Sequence, residues 1–288
     1  MAVFTGSSSA GAEDVGASDR QHPQGRGFAP AGALRPPMGA PPVPEQIAAH
    51  VLALISDLAT QMIDAAEDAR GGGLRGDKLD AMTSGLLSCE PLVTHCFGLT
   101  VEYLGSVRLS EAGHVDALMP PLICTALGTE ERDVARLAAQ FVQAQAEFLG
   151  NMRRMRLPFP QLPEPLLALL MNTVRDVAGC DGTADAVERH CRARHDGNST
   201  RLALLDRLEP VCGTASAKQR LELAGAPCFV AHLAALRRIP HAEAAPLLME
   251  EHADDLLAAM QAAGAADETQ IRTMLLLHGR WPLALRAA

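Results

Sequence analysis

Aromatic residues are nearly missing from this chain: one Trp, one Tyr and seven Phe, 3% of 288 residues. β-Sandwiches and β-barrels draw on aromatic and β-branched side chains. Their scarcity beside runs of Ala and Leu favours helix. Also missing is an unbroken apolar run of the ~20 residues that a membrane span needs, so no span is expected. Positive charge is short as well. The 25 Lys and Arg stand against 34 Asp and Glu, a net charge of −9. Binding along a phosphate backbone calls for a basic face, so nucleic acid is not an expected partner. Near the start, no basic stretch leads into the apolar core of a secretory signal. A cytoplasmic location is therefore expected, with the seven cysteines as reduced thiols.

What is present is core-forming material, 48% apolar against 20% charged, unevenly placed. Residues 1–44 are rich in Gly, Ala, Pro and Ser, as in Gly6 to Ser9 and Pro36-Pro37 followed by Pro41-Pro42. Few large apolar groups offset the ordering entropy there, so this stretch is expected to be a disordered arm. Met38 is an alternative start.

From Glu45 the pattern changes. Ile47, Val51, Leu54, Leu58 and Met62 recur three and four apart, with Asp57, Asp64, Glu67 and Asp68 off that stripe. This predicts an amphipathic helix between Pro44 and the glycines at 71–73. A second begins with Thr129 as its expected cap. It carries Val134, Leu137, Phe141, Phe148, Met152 and Met155, with Gln145 the one polar break, and stops at Pro158. Helices are also expected after Pro163, after an Asn198 or Ser199 cap, after Pro240, around Leu256 to Met260, and from Asp267. No alternating segment predicts a strand. The fold class expected is all-α, packed as a HEAT-like α-solenoid or an irregular bundle, with 45–197 as a HEAT-like region and 198–288 as a helical region packed on it.

The HEAT expectation rests on one unit. Val115 to Ile123, with Pro120-Pro121, followed by Asp133-Val134-Ala135-Arg136-Leu137-Ala138-Ala139, resembles a HEAT repeat. Two more segments, Ala144 to Pro158 with Leu162-Pro163, and Cys228 to Leu236 running into Ile239-Pro240, resemble a bacterial helical family described only as a domain of unknown function. That resemblance implies an all-helical fold with HEAT-like repeats and brings no catalytic residues.

Motifs for chemistry are few. Gly71 to Lys78 departs from a phosphate-binding loop, because Asp77 interrupts it and Leu79 stands where Ser or Thr is required. Cys89, Cys96, Cys124, Cys212 and Cys228 are expected as small core hydrophobes. The candidate metal ligands are Cys180, Glu188, His190, Cys191 and His195. Glu188, Cys191 and His195 are three and four apart and share a helix face, although Arg189, Arg192 and Arg194 crowd the same turn. Glu250, Glu251, His252, Asp254 and Asp255 read as a solvated face. Arg153, Arg154 and Arg156, with Met152 and Met155 between them, are the candidate partner-binding residues. No catalytic residue and no cofactor is assigned. The expected function is a non-catalytic helical-repeat adaptor or scaffold for a protein partner; the alternative is a metal- or cofactor-binding enzyme or sensor built on Cys180, His190, Cys191 and His195.

Overall fold

A computed structural model describes residues 44–70, 77–178 and 182–279 of the chain. These form thirteen α-helices and three short 3-10 turns, and no strand occurs among them. Residues 1–43 of the expected arm, residues 71–76 and Cys180 lie outside the described residues.

The first helix, α1 (Glu45–Arg70), buries Val51, Leu54, Leu58 and Met62 completely, as its stripe requires. Its polar positions are not idle. Asp57 Oδ2 accepts from the Leu157 backbone N–H at 2.9 Å, Gln61 Oε1 accepts from the Phe159 N–H at 3.1 Å, and His50 Nε2 donates to the Met152 carbonyl at 2.9 Å. They clamp the segment that leaves α5 (Arg132–Arg153). That exit is a Schellman turn, with the Arg156 N–H on the Asn151 carbonyl and the Met155 N–H on the Met152 carbonyl. Met155 adopts φ 54° there and is exposed. It therefore caps the helix instead of extending the stripe. Thr129 likewise does not cap α5. The N-cap is Glu131, with no side-chain bond, and Thr129 Oγ1 instead accepts from the Glu131 N–H.

Between them run α2 (Asp77–Leu87), the central α3 (Glu90–Glu111) and the short α4 (Pro121–Leu127). α3 packs against α1, α2, α5, α6 (Glu164–Ala178), α10 (Leu221–Arg237), α11 (His241–Ala244) and α13 (Asp267–His278). α7 (Thr183–Arg194) lies on α1 and α6; α8 (Arg201–Leu208) lies on α5. In a solenoid each repeat touches only its neighbours. Here α1 meets α7, α4 meets α10, and α3 meets α11. The arrangement is an irregular bundle around α3, and the HEAT-like unit is a seven-residue helix beside a long one. One hydrophobic core runs across residues 197 and 198.

Two glycines set the packing. A Cβ on Gly98 would lie 2.5 Å from the Ala242 Cα and carbonyl oxygen, so its absence lets α11 rest directly on α3. Gly225 breaks α10 with φ 66° and ψ 168°, a conformation other residues avoid, and a Cβ there would touch Pro120 at 3.0 Å. Pro227 then opens the straight part of the helix.

Candidate functional site

α3 carries His95, Gly98 and Glu102 three and four residues apart, on one face. Glu102 is completely buried, yet its carboxylate is fully occupied. Oε1 accepts from Arg201 Nη2, and Oε2 accepts from His241 Nε2 at 2.6 Å. Arg201 Nε donates to Gln145 Oε1 at 2.6 Å, and Gln145 Nε2 donates to the Ala117 carbonyl at 3.1 Å. The guanidinium carbon stands 3.9 Å above the Phe148 ring, a cation–π contact in a dehydrated setting. The network thus ties α3, α5, α8, α11 and the 112–120 loop together. Burial disfavours the Glu102 charge, but Arg201 and His241 outweigh it and hold the carboxyl down at about 2. His95 goes the same way for another reason. Burial, then the positive neighbours His241 and Arg201, lower it to about 4, so it is neutral at pH 7.

His95 Nε2, Arg201 Nη1 and His241 Nδ1 are buried without a hydrogen-bond partner. Unpaired buried polar atoms cost stability, and they mark places where a structure serves something besides its own folding. His95 and Arg201 line a cavity of about 30 Å³ with Phe148, Met152 and Arg156. His95 and His241 also lie beneath a larger groove of about 1040 Å³. That groove is walled by the starts of α3, α6 and α11, by α8, and by the C-terminal half of α10. Its surface is mostly apolar, with Pro91, Pro163, Pro165, Leu166 and Ile239 among its residues. Glu90, Glu164, Asp206, Glu209 and Glu243 supply carboxylates to it, and Arg238 is the one arginine or lysine among its described residues.

Glu164 and Glu209 are already engaged. Glu164 meets Arg192, and Glu209 Oε1 accepts from Lys218 Nζ at 2.8 Å and His232 Nδ1 at 2.9 Å. Burial raises Glu209, but those two bonds win and keep its carboxyl low. Glu90, Asp206 and Glu243 have no ion-pair partner among the described residues. Partial dehydration pushes Asp206 up against the pull of His241, with Glu209 adding to the rise. Arg238 itself sits at φ 56°, in the turn that ends α10. Among described non-glycine residues, positive φ occurs only there and at Met155.

The residues singled out from sequence fall elsewhere. Glu188 is held by Arg175 and, at 2.8 Å, by Arg192, and the Arg192 bond leads in lowering its carboxyl. Cys191 is buried with its Sγ 4.0 Å from Met62 Sδ, and burial pushes its thiol up to about 11. His195 Nε2 donates to the Leu162 carbonyl at 2.9 Å, and its Nδ1 lies 3.3 Å from Glu164. His190 is exposed beside Arg194 and Phe159. These side chains are not brought together, and no group of three metal-ligating residues occurs among the described residues. Cys96, Cys212 and Cys228 are buried as expected, whereas Cys89 is half-buried and Cys124 is exposed, off the face of α4 that buries Leu122, Ile123 and Ala126. Arg153, Arg154 and Arg156 are exposed at the end of α5 and do not line the groove.

Sequence reasoning missed Glu102, His95, Arg201 and His241. Signals did exist, each a broken local rule: a glutamate inside an apolar stretch, a glutamine in an apolar stripe, an arginine on the first residue of a helix where the dipole disfavours it. Comparison with protein-family models, curated proteins and solved structures finds no match to this chain.

Proposed function

We propose that this protein is a non-catalytic helical scaffold that holds a segment of a protein partner in the groove between α3, α6, α8, α10 and α11. The observation that carries the reading is the groove itself: about 1040 Å³, mostly apolar, rimmed by carboxylates, with unpaired imidazole nitrogens beneath. Clefts with that mixture of apolar wall and few oriented polar groups are where proteins bind ligands. The Glu102 network supports it by fixing α3, α8 and α11 against one another, so the groove keeps its shape when empty.

A groove-filling variant tests it. Ala235 is exposed and lines the groove, so Ala235→Trp fills it without disturbing the core. In a quantitative pull-down from native lysate, a partner held near stoichiometry by the natural chain is expected to be lost from Ala235→Trp. The same partner retained at full level by the variant would contradict the reading.

A further inference from the structure

The charge of the groove selects the kind of segment it takes. Three of its carboxylates, on Glu90, Asp206 and Glu243, have no ion-pair partner among the described residues; Asp206 feels only the charge of His241 from the groove floor, and Arg238 is the one arginine or lysine in the lining. Beneath them, His95 Nε2 and His241 Nδ1 lack any partner although both side chains are more than nine-tenths buried. His95 is neutral at pH 7, so it adds no positive charge to the groove floor. Carboxylates in such excess over cations call for donors that carry positive charge.

We propose that the groove binds a peptide segment in which Lys or Arg residues stand beside apolar ones, the apolar side chains lying on Pro91, Pro163, Pro165 and Leu166 and the cations reaching Asp206, Glu243 and Glu90. The assignment rests on the scaffold reading above. An acidic segment meets three like charges, and a wholly apolar one dehydrates those carboxylates without replacing water's hydrogen bonds.

The test is selection of random displayed peptides, about twelve residues long, against the full chain. Peptides that bind the natural chain and not Ala235→Trp are expected to be enriched in Lys and Arg. A synthesised winner should bind about tenfold more weakly to the Asp206→Asn/Glu243→Gln double variant, a partial loss because both charges sit at the rim. Its affinity should also fall as salt rises. Groove-dependent winners with no excess of Lys or Arg, or with unchanged affinity for the double variant, would overturn the inference while leaving the scaffold reading standing. Winners that bind Ala235→Trp as well as the natural chain, or no winners at all, would overturn both.

Discussion

At the scale of the residue, this protein is governed by one carboxylate. Glu102 is buried and twice bonded, so removing either partner strands a charge in the core. Arg201→Met is expected to cost about 3–5 kcal/mol in urea unfolding, and the Glu102→Gln/Arg201→Met double variant should recover part of that, because the stranded charge is then gone. A double variant no better than the single one would show that Arg201 acts through packing on Phe148 alone. The same residues set the response to acid. Glu102 titrates near 2 in the folded chain and near 4.5 when unfolded, so its contribution is complete above pH 4.5 and is lost as pH falls towards 2. His95 is lowered from 6.5 to about 4, so the unfolded chain takes up that proton first, and stability falls between pH 6.5 and 4. Each amounts to about 3 kcal/mol. Stability measured against pH should therefore drop in two stages on acidification, and His95→Gln should shrink the upper one, leaving the part due to His278, which burial also lowers. Met155 makes an opposite prediction. Its left-handed conformation costs free energy that glycine does not, so Met155→Gly should stabilise by about 0.5–1 kcal/mol despite removing a large side chain, since that side chain is exposed.

At the scale of the element, close approach of α11 to α3 decides whether the site exists. Gly98→Ala puts a methyl 2.5 Å from the Ala242 backbone and should destabilise by about 3 kcal/mol, while shifting His241 away from Glu102. A Gly98→Ala protein as stable as the parent, with the same acid profile, would contradict that role. α8 depends on its cap: Thr200, not Asn198 or Ser199, accepts from the Ala203 N–H at 3.3 Å, and Thr200→Ala should cost about 1 kcal/mol. Which elements could be read in advance follows from the same physics. α1, α5 and α6 each turn one face to the core and one to water, so their apolar residues repeat every three or four and their sequences show it. α3 is surrounded, with apolar residues all round, so periodicity fades in the helix that carries Glu102 and His95. α10 is obscured by Gly225 and Pro227, which read as breakers although the chain recovers its helix within two residues. The metal candidates stood out because Cys and His are conspicuous in sequence. Their tertiary neighbours, Met62, Leu162 and Arg175, were not visible there, and those neighbours occupy them.

At the scale of the whole molecule, the buried network and the core cross the sequence position where two helical regions were expected to meet. Glu102 and Gln145 come from the first region, Arg201 and His241 from the second. Residues 45–197 expressed alone would lack Arg201 and His241 and leave open the face of α3 that α10 and α11 cover. They are expected to lack the sharp, single urea transition of the full chain. The groove is built across that same join, from α3 and α6 on one side and α8, α10 and α11 on the other, so the binding surface exists only in the assembled fold. Its most direct test is site-directed photo-crosslinking. A photoreactive phenylalanine is placed at Ala235 in the groove, or at Ile271 on an exposed face of α13, and each protein is irradiated in native lysate. One discrete adduct is expected from position 235, weakened when Asp206→Asn and Glu243→Gln are added, and none of that mass from position 271. The same adduct from both positions, or from 271 alone, would contradict it.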